Sequence, residues 1–193
     1  MKIYGSTTSP FVRRLRLLLA KHEYEFVPFN IFGKEREKLK ETNPTLKIPM
    51  FEDTDKPANP VIFDSGVAFR YLSEKFGFDA LTLHEQNILS VIDACSDSLV
   101  NTMLLKRSGV DVGEDKMYFN IQNERQLASF EYLENQVANG QLEKWHYPSI
   151  CLLVLVEWAS FRNLFDFTAY PKLLGFVEKH QEQPAVVATK PSE

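Results

Sequence analysis

The chain has 193 residues, with 22 Lys and Arg against 26 Asp and Glu, a formal net charge of −4, and 44% hydrophobic residues. That length suits one or two domains with a buried core, and the mildly acidic balance argues against nucleic acid as a main partner. Cys95 and Cys151 stand in apolar helix-like runs without metal or redox spacing, and the four histidines form no ligand cluster, so no metal is expected.

Lys2 is followed by no apolar leader, and the longest apolar run, Ile150 to Val156, is too short to span a bilayer. A cytoplasmic protein without membrane partners is expected. The charge is uneven: residues 1–77 hold 13 basic and 10 acidic side chains, residues 78–193 hold 9 and 16. A mildly basic first part suits a small anionic ligand.

In chain order, Lys2-Ile3-Tyr4 is a short β-prone run. Ser6-Thr7-Thr8-Ser9 is a loop rich in small hydroxyl residues. Ser9 stands as N-cap before Pro10 at the first helical position, and Leu15, Leu18 and Leu19 recur at helical spacing. Residues 24–31 read as a strand, with Pro28 marking an edge. Residues 34–42 form a short exposed helix or irregular turn, ended by Asn43-Pro44. A strand follows Pro49, a loop covers Asp53 to Pro60, and Val61-Ile62-Phe63 is the returning strand. A helix over 65–76 begins at Asp64-Ser65 and closes at Gly77. This order, β-α-β-α-β-β-α, describes a small α/β domain with a mixed sheet over residues 1–77.

After a linker at 78–81 no strand alternation returns. Ile88, Ile92, Cys95, Leu99 and Met103 mark one long helix over 82–108, and Leu127, Phe130, Leu133 and Val137 a second. Pro148-Ser149 opens a third, whose all-apolar middle predicts the centre of a bundle. Tyr170-Pro171 opens a fourth. A short turn follows Gln183-Pro184, and the tail after Ala188 is expected to fray. Residues 82–193 are therefore assigned to an all-helical domain.

The start of the first helix carries a chemical opportunity. A helix N-terminus offers unpaired N–H groups and the positive end of the macrodipole, so it holds anions. A thiolate is such an anion, and a cap hydroxyl can donate one more hydrogen bond. A bond of that kind lowers a thiol pKa by about one to two units. Ser9 can equally serve as a plain helix cap.

Several motifs in this order resemble the cytosolic glutathione S-transferase family over nearly the whole length. These are Ser9-Pro10-Phe11-Val12-Arg13, Asn43-Pro44, Lys47-Ile48-Pro49, Asp64-Ser65, Glu157-Trp158 with Phe161-Arg162, and Tyr170-Pro171. The resemblance is to a bacterial, serine-type Ser-Pro-Phe branch. It implies a thioredoxin-like N-terminal domain, an all-α C-terminal bundle and a cis Ile48–Pro49 bond. It also implies that the Ile48 backbone pairs with an extended tripeptide. Asp64 and Ser65 would take the γ-glutamyl ammonium and carboxylate of glutathione, and Lys34 its glycyl carboxylate.

Ser9, or alternatively Thr8, would activate the thiol, while Tyr4 packs. The absence of a cysteine at this position argues against a deglutathionylating reductase. One departure is Ser149-Ile150-Cys151-Leu152, where the family's cap keeps its serine but lacks its acidic half.

The expected function is that of a homodimeric glutathione S-transferase, with glutathione as co-substrate and an electrophilic, apolar second substrate near Met103, Leu104 and Arg107. Asp97 is a candidate to reach a partner subunit's ligand. Two alternatives stand: a non-catalytic interaction or regulatory protein of the same fold, and another glutathione-dependent activity such as peroxidase or isomerase.

Overall fold

A computed structural model describes residues 1–192. The first part of the chain forms β1 (Lys2–Gly5), α1 (Pro10–Leu18), β2 (Glu25–Pro28), α2 (Arg36–Thr42), β3 (Met50–Glu52), β4 (Ile62–Phe63) and α3 (Ser65–Phe76). The sheet runs β2-β1-β3-β4, with β1 parallel to β2 and the other pairings antiparallel. β2 takes the edge position that Pro28 requires.

The period of two along each strand divides the core. Ile3 and Phe51 face one side, where they meet Val12, Leu15 and Leu19 from the α1 region and Ala68 and Leu72 of α3. Tyr4 and Met50 face the other side, with Phe29 and Leu39. Gly5 ends β1 against α1. A Cβ built there would stand 2.3 Å from Val12 Cγ2, so only glycine lets the strand approach the helix this closely. Gly77 closes α3 in the left-handed conformation, at φ 67°.

The remaining helices are α4 (Leu83–Arg107), α5 (Met117–Ala138), α6 (Tyr147–Phe161), α7 (Pro171–His180) and α8 (Pro184–Ala188). Contacts divide the chain into one unit of Met1–Ala80 together with the segment from Glu182 onward, and a second unit of Leu81–Gln181. The sequence pattern assigns 182–193 to the helical domain, whereas its contacts lie with the first unit. The segment turns back because α1 offers it hydrogen bonds. The buried Arg13 guanidinium donates through Nε to Thr189 Oγ1 at 3.3 Å and through Nη2 to Val186 O at 3.2 Å. The tail after Ala188 is therefore tied down: Thr189 is buried, and Ser192 O accepts a bond from Thr7 Oγ1 at 3.1 Å.

In the second unit every residue from Ile150 to Val156 is buried, as the apolar run predicts. Polar bonds join α4 to α5: Arg125 Nη1 donates to Ser98 Oγ and Gln126 Nε2 to Thr102 Oγ1. Among the described residues α4 is the one helix long and apolar enough to cross a membrane by length and composition. It packs on α5 and α6.

The start of α6 differs from expectation. His146, not Ser149, is the N-cap, and Ser149 is the third helical residue. Ser149 Oγ accepts the His146 N–H at 2.9 Å, the reciprocal role that an acidic residue fills elsewhere. The missing carboxylate is thus replaced by a hydroxyl.

Candidate functional site

Strand register gathers three segments at one end of the sheet. Tyr4 stands opposite Met50, and Met50 opposite Phe63. The chain therefore leaves β1 at Ser6, enters β3 from Pro49 and leaves β4 at Asp64, all at the same edge. The loop 6–9, the Ile48–Pro49 pair and the start of α3 become neighbours through pairing alone.

Ser9 caps α1, accepting from the Val12 N–H at 3.4 Å, with Pro10 in the first turn. That bond is long, and the Ser9 hydroxyl has no acceptor of its own among the described residues. Thr8 Oγ1 lies 2.9 Å from Ser6 Oγ. Tyr4 is committed elsewhere: its hydroxyl donates to Glu52 Oε2 at 2.6 Å, and burial, with the Glu52 bond behind it, pushes its pKa up to about 12.

The Ile48–Pro49 bond is cis. Ile48 lies outside the strands, and its N–H and C=O enter no hydrogen bond among the described residues. Its half-buried side chain packs against both core clusters, which fixes where the backbone points.

Asp64 is the N-cap of α3. Its Oδ1 accepts from Gly66 N at 2.8 Å and Val67 N at 3.1 Å, leaving Oδ2 exposed and uncommitted. Its φ of 78° with ψ of 139° is a conformation that side chains rarely adopt. Ser65, the first helical residue, is 2% exposed, and neither its hydroxyl nor its N–H has a partner among the described residues. A helix start with an unmatched N–H and hydroxyl beside a free carboxylate oxygen suits a zwitterionic α-amino acid group.

Lys34 sits in the turn before α2, exposed, without a hydrogen bond or ion pair among the described residues. In the second unit, Leu104 lines a cleft of about 270 Å³ with Asn101, Leu105 and Ser108 of α4 and Tyr118 and Phe119 beyond them on α5. Met103 and Arg107 do not line it. Asp97 is exposed on α4.

Ser6 was not singled out by the sequence. It accepts the Thr8 N–H on Oγ and the Ser9 N–H on its carbonyl, both at 3.2 Å. The available signal was a serine two residues before a threonine, the spacing of a hydroxyl-stabilised turn.

Residues 3–80 match the family model described as "Glutathione S-transferase, N-terminal domain". No curated protein sequence matches the chain. Among solved structures it is similar to a glutathione S-transferase from Methylobacillus flagellatus with glutathione bound, at TM-score 0.84 and 17% identity, covering 99% of both chains. A glutathione transferase family member from Pseudomonas fluorescens Pf-5 with bound glutathione gives 0.82 and 18%, over 100% of this chain and 99% of that one. A maleylpyruvate isomerase, described as a bacterial glutathione S-transferase in Zeta class, gives 0.75 and 20%, over 99% and 97%. The chain thus has the glutathione S-transferase fold, a thioredoxin-like N-terminal domain whose residues 3–80 match that family model, followed by a mostly helical part.

Proposed function

We propose that the protein binds glutathione at the shared end of β1, β3 and β4 and activates its thiol for attack on an electrophile. The observation that carries this reading is the register of the sheet, which gathers Ser9, Ile48 and Asp64-Ser65 into one surface. The tripeptide backbone pairs with the Ile48 N–H and C=O, as an added strand does. Its γ-glutamyl carboxylate meets the Ser65 N–H and hydroxyl, and its ammonium meets Asp64 Oδ2. Lys34, exposed and uncommitted, is a candidate for the glycyl carboxylate.

Ser9 then donates to the sulfur at the positive end of α1. The thiol proton passes to water, the thiolate sulfur forms the new bond to carbon, and the electrophile's leaving group departs with its electron pair. Ser9 is preferred over Thr8 because the Thr8 hydroxyl already engages Ser6. This is the serine-type Ser-Pro-Phe chemistry. No metal enters it. The rate gain comes from a lowered thiol pKa and from orientation.

The second substrate is apolar, with Met103, Leu104 and Arg107 as candidate contacts; of the three, the cleft supports Leu104. The protein acts in the cytoplasm as a homodimer, with Met117 and Ile121 of α5 among the exposed apolar side chains a second copy would cover. Asp97 is the residue offered to the partner subunit's site.

Calorimetric titration with glutathione, together with conjugation of a reactive aryl halide, tests the reading. Binding plus conjugation supports it. Binding without conjugation points instead to another glutathione-dependent reaction, such as the isomerisation named for one structural relative, or to a non-catalytic role. No glutathione binding overturns it.

A further inference from the structure

Ser6 makes three contacts that together shape the loop before α1. Its carbonyl accepts the Ser9 N–H at 3.2 Å. Its Oγ accepts the Thr8 N–H at 3.2 Å and lies 2.9 Å from Thr8 Oγ1. Ser9, by contrast, is held weakly by its own side chain, through a single accepted bond of 3.4 Å. The loop is therefore closed by the first of its four hydroxyl residues and not by the last. A side chain that closed the loop itself would have its proton or its orientation spent on the backbone. Ser9 is spared that work, and its O–H stays available.

We infer that Ser6 is the positioning residue of this site: it sets the place and direction of the Ser9 hydroxyl and fixes Thr8 in a supporting role, without touching the ligand. The inference rests on the glutathione reading above and deepens it. Two features argue that the loop is built to be fixed. Its upstream end is pinned where Gly5 abuts Val12, and its downstream end where Arg13 N donates to Ser9 O at 3.1 Å. Between those pins the side chain of Ser6 reaches forward to the Thr8 N–H and hydroxyl. Its loss leaves the Ser9 N–H on the Ser6 carbonyl but frees the Thr8 N–H and hydroxyl, and the loosened residue before Ser9 lets the Ser9 hydroxyl turn away from the sulfur.

The test compares wild type with Ser6→Ala, Ser6→Thr, Ser9→Ala and the double variant Ser6→Ala/Ser9→Ala. The readouts are ultraviolet difference absorbance of the bound thiolate against pH, calorimetric glutathione affinity, and conjugation kinetics. In Ser6→Ala the apparent thiol pKa rises and kcat falls about two- to tenfold, the range of one net hydrogen bond, while the glutathione Kd changes less. Ser6→Thr, which keeps the oxygen, restores the wild-type titration. Ser6→Ala adds nothing to Ser9→Ala, because it acts through Ser9.

An unchanged thiol pKa in Ser6→Ala overturns the inference, and so does full additivity with Ser9→Ala. If Ser6→Ala does not fold, Ser6→Cys, with its weaker acceptor of similar size, takes its place and must titrate above wild type. If wild type binds glutathione but Ser9→Ala leaves the thiolate unchanged, the inference falls and glutathione binding stands. If wild type binds no glutathione, both fall.

Discussion

His146 Nε2 lies 2.7 Å from Glu85 Oε1, and this pair joins the first turns of α4 and α6. The other Glu85 oxygen accepts from Thr82 N at 2.7 Å and Thr82 Oγ1 at 2.9 Å, which closes the capping box of α4. The other His146 nitrogen lies 2.9 Å from Lys144 O and 3.1 Å from Ser149 Oγ. Two helix caps are thus joined by one side-chain hydrogen bond. The Thr82 N–H bond, against burial and helped by the Thr82 hydroxyl and His146, holds the Glu85 carboxyl below the usual carboxylate range. Its stabilisation is present above the unfolded pKa of roughly 4.3 and is lost as pH falls through the lower folded pKa. Glu85→Gln should cost about 1–3 kcal/mol at neutral pH and flatten the acid limb of stability, measured by urea unfolding at several pH values. An acid limb identical to wild type would refute this role.

Asp53 anchors the loop between β3 and β4 to α3. Its buried carboxylate receives Lys75 Nζ at 2.7 Å on each oxygen and a short bond from the Tyr71 hydroxyl, while Lys75 also meets Asp55 at 2.9 Å. Burial pushes Asp53 up, but the bonds from Lys75, Tyr71 and the Asp55 N–H hold it below its ordinary value. Tyr71 is raised, first by burial and then by Asp53. Lys75 is raised by Asp53 and Asp55 against its burial. Stability is therefore lost at both ends: as pH falls through the folded pKa of Asp53, and as it rises above the unfolded pKa values of Tyr71 and Lys75. Lys75→Met leaves a buried carboxylate without its cation and should cost about 3 kcal/mol, read from the thermal midpoint.

Ser9→Ala should keep most glutathione affinity and lower conjugation kcat about 10- to 100-fold, since a hydrogen bond to a charged group is lost. Thr8→Val should lower it less. Stopped-flow or steady-state assays with one electrophile decide between them, and a larger effect at Thr8 would transfer the role to that residue.

Asp64→Asn separates cap from charge. Asparagine caps as well as aspartate and tolerates positive φ, so stability should change by no more than about 0.5 kcal/mol. Glutathione affinity should fall about tenfold or more, because the ammonium loses its counter-charge. Equal affinity in calorimetry would show that Asp64 is a cap alone.

Gly5→Ala should destabilise by about 1–3 kcal/mol, because the added methyl meets both Val12 methyl groups, at 2.3 and 2.9 Å. Gly5→Ala combined with Val12→Ala should recover part of the loss; no recovery would mean that the clash is not with Val12.

Much of the fold was legible because its signals are local. Ser9 before Pro10, Gly77 after Phe76 and the apolar run 150–156 each act within a turn or two. The parts that escaped depend on distant partners. Ser149 looks like a cap until His146, three residues earlier, is seen to take that position. Glu85 and His146 are 61 residues apart. The tail reads as polar and loose because its anchor, Arg13, is 176 residues away from Thr189. Of the candidate site, residue identities at 9, 48, 64 and 65 could be read directly. The bonding of Ser6 could not, since a hydroxyl in a loop shows its partner only once the turn is formed.

The return of the last segment to α1 has a consequence for biosynthesis. The first 80 residues emerge from the ribosome long before Val186 and Thr189 exist, so Arg13 meets these two acceptors only after the whole helical part has been made. The sheet can pair early, but the face of α1 that carries Arg13 is completed last. Translation thus completes one unit from two segments that the other unit separates in the sequence.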